Sequence, residues 1–416
     1  MNYFVTKKMQ IEMKKTVYRI FCVFLLLPLL GLVHPCFSQD QAPPIVTGAE
    51  QVKAYLPYLK GKRVGMLVNK TSLIGDKLSV DSLRSLGVNI KLIFGPEHGF
   101  RANASAGAHV ADEVDAKTGI PVISLYGKRK KPTPEHLAKI DVMLFDLQDI
   151  GCRFYTHINT LRDVMEACAQ AGKEVIILDR PNPNGFVDGP VLDMKLASGI
   201  GQFPVPITHG MTLGEFAQMI NGEGWMANKV RCKIRVIKVK NYRHDMDYRL
   251  PESPSPNLST QQSVELYPSV CLFEGTIVSQ GRGTPHPFTV LGAPALKGIY
   301  NFSFKPMSIK GKAETPLHLE EFCFGLDLRN YDMTEYRKAG KINIQWMLEL
   351  YKAYPYKDKF FDRSQSNQMG NIDGLAGTTE FREQIVAGKT EEEIRKSWEP
   401  KLSEYKVMRK KYLLYP

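Results

Sequence analysis

From Lys62 to Asp179, short apolar runs alternate with amphipathic stretches. The runs RVGMLVN, IKLIFG, PVISLYG, DVMLFDLQD and EVIILDRP are separated by segments such as SVDSLRSLG and TLRDVMEACAQAG. Strands apolar on both faces, with helical patterning between them, predict a parallel sheet covered on both sides. MTLGEFAQMINGEGW then reads as a further helix, with Thr212 as N-cap and Glu215 three residues on as its capping-box partner. KIRVIKVKNY supplies one more strand.

At PESPSPNLST prolines and serines cluster and the alternation stops. The reading is α/β, with a Rossmann-like parallel-sheet domain over residues 40–255 and a smaller α+β domain over 256–416. SVCLFEGTIVSQGRGTPHPFTVLGAP has strand-like pieces, and TEEEIRKSWEPKLSEYKVMRKKYLLYP reads as a closing helix. The 416 residues, 43% of them hydrophobic, suffice for one large core or two moderate ones.

The N-terminus is different. From Met13, MKKTVYRIFCVFLLLPLLGLVHPCFSQ has a charged start and a short apolar middle. This is the pattern of a secretory signal over residues 1–38, with cleavage expected after Ser38. The apolar run from Ile20 to Val33 is short for a membrane span. The expectation is an exported protein, periplasmic or extracellular, without stable membrane insertion after signal cleavage. His34 and Pro35 before Cys36 do not fit a lipid-anchored cysteine.

Removing that segment lowers the formal charge from +12 to +8, because it carries five basic residues and one acidic one. A moderately basic protein can favour anionic polymers but names none of them. Five cysteines remain, Cys152, Cys168, Cys232, Cys271 and Cys323, an odd number without close spacings. Neither a disulfide framework nor a zinc motif is present, and buried thiols are expected.

In an open parallel sheet, ligands bind beyond the carboxyl ends of the strands. Five successive runs deliver polar groups there: Asn69, Thr71 and Ser72; Glu97 and His98; Tyr126; Asp146, Gln148, Asp149 and Arg153; Asp179, Arg180 and Asn182. The loop after the first run, NKTSLIG, has no phosphate-cradling glycine pattern, which disfavours nucleotide cofactors. A GxSxG nucleophile turn is also absent. Two readings remain for Glu97, His98, Asp146, Asp149, His157 and His209. One is a divalent metal held from several loops, and the other is acid/base chemistry by Glu97 with a neighbouring aspartate.

GPEHGFR, DLQDIGCRFYTHINTL, DRPNPNG, PVPITHGMTLGE, SPSPNL, LFEGTIVSQGRGT and the terminal YLLY occur in that order between Gly61 and Tyr415. Together they resemble the YbbC-like, NamZ-type exo-β-N-acetylmuramidases. The resemblance implies a Rossmann-like domain, a smaller C-terminal domain that closes the cleft, and release of terminal N-acetylmuramic acid from peptidoglycan fragments. It implies catalytic roles for Glu97, His98, Asp146 and Asp149. Substrate contacts are implied for Arg101, Gln148, Arg153, Tyr155, Asp179, Arg180, Asn182, His209, Asn257, Glu274 and Arg282, and the strand-end residues Asn69 and Tyr126 are expected to join them.

No cofactor or metal is expected, and the partners are muropeptides or disaccharides derived from peptidoglycan, not nucleic acid. The lactyl carboxylate of muramic acid suits a guanidinium, and Arg153 or Arg282 is the expected ligand. Two other readings stand beside this one: a non-catalytic binder of anionic glycans and a metal-dependent hydrolase.

Overall fold

The computed structural model describes Glu12 and residues 43–96, 99–101, 112–362 and 371–416. The fold set out below is that of Ile45–Pro416. Its centre is a run of parallel strands: β1 (Val64–Val68), β2 (Ile90–Gly95), β3 (Pro121–Ser124), β4 (Val142–Asp146), β5 (Glu174–Leu178) and β6 (Ile234–Ile237). They lie in the order β3-β2-β1-β4-β5-β6, all pairs parallel, with the short strand Glu113–Val114 added antiparallel beside β3. This is the doubly wound Rossmann order, in which the chain reverses direction across the sheet between β1 and β4.

Alternation along the strands explains the two-sided burial. Val64, Met66 and Val68 of β1 join Leu144, Ile176 and Leu178 in a core completed by Tyr55 and Leu59 of helix α1 (Val52–Leu59) and by Val80 and Leu83 of α2 (Ser79–Ser85). On the other face Leu67, Phe145, Val175 and Ile177 meet α3 (His157–Gln170) and α4 (Leu213–Gly222). Successive residues of a strand point to opposite faces, so an uninterrupted apolar run fills both layers. The Thr212–Glu215 capping box at the start of α4 is formed as the sequence predicts.

A second core gathers Val264, Leu266 and Val270 of helix α5 (Gln261–Val270), Leu291 and Ala293 of strand β7 (Val290–Ala293), and Trp398 and Leu402. Strand β7 pairs antiparallel with β9 (Cys323–Asp327), whose other edge takes β8 (Phe302–Phe304). Trp398 and Leu402 belong to the closing helix, here α7 (Glu391–Lys410), which follows α6 (Ile372–Ala376).

The stretch read as having strand-like pieces is strand at Val290–Ala293. Its SVCLFEG start is helical: the first two residues end α5 and Cys271–Gly275 form a 3-10 turn. The Thr260 capping box starts α5, and burial on all sides lets an apolar, β-prone segment remain helical. Cys152, Cys168, Cys232, Cys271 and Cys323 are free and buried, as expected.

Candidate active site at the carboxyl edge of the sheet

Val68, the last residue of β1, pairs with Asp146, the last of β4, so both strands deliver their following loops at the reversal point. Asn69 accepts through Oδ1 from the amide and hydroxyl of Thr71 (2.9 and 2.6 Å), while its own amide donates to Ser72 Oγ (2.9 Å). Ser72 in turn donates to the Asp146 carbonyl, and the Gln148 amide donates to Thr71 Oγ1 (3.3 Å). This polar turn ties the two loops together where a Rossmann sheet opens its crevice.

Asp146 is fully buried and accepts from Arg180 Nε at 2.7 Å through Oδ1. Arg180 also donates to the Leu73 carbonyl (2.9 Å). Asp149 accepts the Gly151 amide at 2.7 Å, and His209 Nε2 stands 3.6 Å from the same oxygen, beyond hydrogen-bond distance. Gly151 has φ 75°, and a Cβ there would overlap the Asn182 side chain, so the turn that carries Asp149 requires glycine. Among the described residues Asp146 Oδ2, Gln148 Oε1 and Asp149 Oδ1 have no donor. Three buried acceptors within four residues form a locus suited to hydroxyl-rich ligands, because buried oxygens in folded proteins are normally satisfied.

A chain of contacts leads from this locus to the second core. His157 Nδ1 meets the Gln148 carbonyl (3.0 Å), and its ring lies 4.7 Å from that of Tyr155. Tyr155 donates to the Pro254 carbonyl (3.0 Å) and lies edge-on to Tyr267 (6.2 Å), which packs on Phe288 (5.0 Å). Arg282 covers Phe288 (4.9 Å) and grips Glu274 Oε1 through Nε and a terminal nitrogen (3.0 and 2.6 Å). Asn257 donates to the Lys312 carbonyl (3.0 Å). Glu274, Arg282 and Tyr155 are thereby joined to the strand edge through aromatic packing. Tyr267 and Phe288, the joints of this chain, carry no local sequence signal and were not among the expected residues.

Other expected residues have partners that the protein itself supplies. Arg153 is fully buried and donates to the carbonyls of Pro190 (2.9 Å), Val205 (2.8 Å) and Leu375 (2.7 Å). Burial pushes its guanidinium down to about 10. With those donors held by backbone, and with the Arg282 fork closed on Glu274, the geometry does not support the expected binding of a lactyl carboxylate by either arginine.

Arg101 is clamped to Asp115 (2.7 and 2.9 Å), and that guanidinium holds the Asp115 carboxyl down to about 2. Asp179 is enclosed by Tyr415 Oη (2.6 Å), Thr212 Oγ1 (2.7 Å) and the Gly214 amide (2.8 Å). Burial still pushes it up to about 6. Asn182 shapes its own turn through Asn184 and Met211, and His209, fully buried, accepts the Met211 amide. These three positions act as architecture behind the edge. Tyr126, half-buried, follows β3 and lies under Lys130 Nζ at 5.2 Å. Glu97 and His98 lie outside the described residues. Among the described residues no group of three or more His, Cys, Asp or Glu side chains is placed to hold a metal ion.

Residues 64–262 match the family model for the N-terminal part of the exo-β-N-acetylmuramidase NamZ, and residues 265–415 match that for its C-terminal part. The chain is 38% identical over 394 residues to the peptidoglycan β-N-acetylmuramidase NamZ of Bacillus subtilis strain 168, covering 90% of this chain and 92% of the relative. Two crystal structures of DUF1343 family proteins from Bacteroides fragilis NCTC 9343 superpose on it. One has a TM-score of 0.82 at 44% identity, covering 90% of this chain and 99% of the other. The second has a TM-score of 0.73 at 31% identity, covering 90% and 100%.

Proposed function

Because this chain belongs to the NamZ exo-β-N-acetylmuramidase family, we propose that it is an exo-acting glycoside hydrolase that releases N-acetylmuramic acid from the non-reducing ends of peptidoglycan fragments. The observation that carries this reading to the level of residues is the buried carboxylate pair at the sheet reversal. Asp146 and Asp149 each keep one oxygen tied by the protein and one without a donor among the described residues.

Glycoside hydrolysis uses two carboxyl groups, one to protonate the leaving oxygen and one to meet the positive charge that develops on the sugar. The Arg180 guanidinium fixes Asp146 through Oδ1 and leaves Oδ2 without a donor among the described residues, a placement that suits the second role. Glu97 follows β2 by two positions in the sequence and is read as the proton donor, with His98 as its neighbour. Gln148, Tyr155, Asn257, Glu274 and Arg282 are read as sugar contacts or their supports. The leader-like segment before residue 39 supports export to the periplasm or exterior, where such fragments arise.

The test is mass spectrometry of products from a defined disaccharide, N-acetylmuramic acid β-1,4-linked to N-acetylglucosamine. Both free sugars are expected, and a folded Glu97→Gln variant should turn over at least about 100-fold more slowly. Binding of the disaccharide without cleavage by the parent protein would overturn the enzyme reading. Near-parental turnover by the variant would remove Glu97 from its role.

A further inference from the structure

The guanidinium groups expected to meet the substrate are already occupied: Arg101 by Asp115, Arg180 by Asp146 and Arg282 by Glu274, with Arg153 held by backbone carbonyls. Lys70, beside Asn69, is paired with Glu252 (3.0 Å). A muramic acid ligand differs from N-acetylglucosamine by an anionic lactyl ether, so a cation at this edge must remain for it. The loop after β3, Tyr126-Gly-Lys-Arg-Lys-Lys, contains two such cations.

The loop is fixed in an alternating way. Arg129 is drawn onto both carboxylate oxygens of Asp112 (2.8 and 2.9 Å), and Lys131 onto Glu166 (2.7 Å). The residues that alternate with them, Lys128 and Lys130, are exposed, and no described carboxylate pairs with either. Lys130 Nζ rests over the Tyr126 ring at 5.2 Å, which holds the ammonium at the strand end. Gly127, with φ 84°, allows the chain to fold back over that ring.

The loop also starts in the right place. The Leu125 amide donates to the Gly95 carbonyl (2.8 Å), so Tyr126 emerges beside the end of β2. At the usual strand spacing β3 ends roughly 10 Å from β1. A long lysine stem and an ether substituent together bridge that gap. A lysine ammonium, with three donors and no fixed plane, suits a carboxylate on a rotatable arm better than an arginine fork does.

We infer that Lys128 and Lys130 form the subsite that recognises the lactyl carboxylate of muramic acid. The inference rests on the muramidase reading, and its test is binding, which is independent of turnover. Calorimetry with free N-acetylmuramic acid, its lactyl amide and N-acetylglucosamine should show the acid bound about tenfold more tightly than the other two, the scale of charge-assisted contacts to one carboxylate.

In the K128A/K130A double variant that preference should fall to about twofold or less, while K128R/K130R should retain it by keeping both charges. An alanine double variant with parental melting temperature and undiminished preference would overturn the assignment. So would equal weakening for all three ligands. Muramyl dipeptide, whose free carboxylate lies on the peptide, separates the sources: if it binds as tightly as the acid and loses affinity in the double variant, the subsite reads the stem peptide and the lactyl assignment fails. If the preference behaves as expected but the disaccharide is not cleaved, the subsite stands and the hydrolase reading falls.

Discussion

Asp179 shows how a residue that reads as a substrate contact in sequence can have its oxygens occupied by the protein itself. It follows an apolar strand at the ligand-binding edge, yet its oxygens are taken by Tyr415, Thr212 and the amides of Gly214 and Arg180. Burial raises its pKa to about 6, above the value of about 4 in an unfolded chain. The folded state therefore holds the proton more tightly. The stability this contributes is full below about pH 4 and is lost as pH rises through about 6.

An Asp179→Asn variant lacks that titration, so the stability difference between parent and variant should shift by roughly 3 kcal/mol between about pH 4 and pH 7, to the parent's disadvantage at the higher pH. Urea unfolding of both proteins across that range measures it. A flat difference would mean that Asp179 titrates as it does in the unfolded chain.

At the scale of elements, capping explains where helices begin, and burial decides how much each cap is worth. Helices α4 and α7 both start with a complete Thr-x-x-Glu box. Thr212 lies inside the protein and its hydroxyl also donates to Asp179, whereas the Thr390 box is solvent-exposed. Thr212→Ala is expected to cost about 2 to 3 kcal/mol, because it removes a cap and bares a buried acceptor, against about 1 kcal/mol for Thr390→Ala. Denaturant midpoints of the two variants give the comparison, and equal losses would show that the bond to Asp179 adds nothing.

The α3 segment and the parallel strands were readable from periodicity because each buries its own apolar face. The helical start of the stretch at SVCLFEG was not legible for the same reason. A segment buried on every side shows no period, so pattern alone did not separate it from the strand-like pieces that follow, while the Thr260 cap and the surrounding core produced helix.

Across the whole molecule, the last residues return to the first sheet. Tyr415 Oη donates to Asp179 and accepts from the Val239 amide (2.9 Å), and the amides of Leu414 and Tyr415 reach Glu215 Oε1 (2.8 and 3.3 Å). Asp188, before α4, accepts both the Ile342 amide and Arg395 of α7 (2.8 Å each), a second tie between distant parts of the chain. Deleting residues 412–416 strips donors from two buried carboxylates and should cost about 3 kcal/mol or more. Urea unfolding followed by circular dichroism would register it as a lower midpoint, and an unchanged midpoint would show that the terminus is an ornament to the fold.

Strand and helix periodicity, the Thr212–Glu215 cap, the family resemblance and the edge on which Asn69, Asp146 and Gln148 fall were all determined by sequence alone, because each depends on local pattern or on ordered motifs. Partnership was not. That Arg153 spends its charge on three carbonyls, that Glu274 closes Arg282, and that Tyr267 links Tyr155 to Phe288 depend on how separate segments pack, Arg153 reaching as far along the chain as Leu375. Only tertiary structure decides which charges remain free, because a buried charge takes whichever partner packing brings within reach, and chain position does not encode that distance.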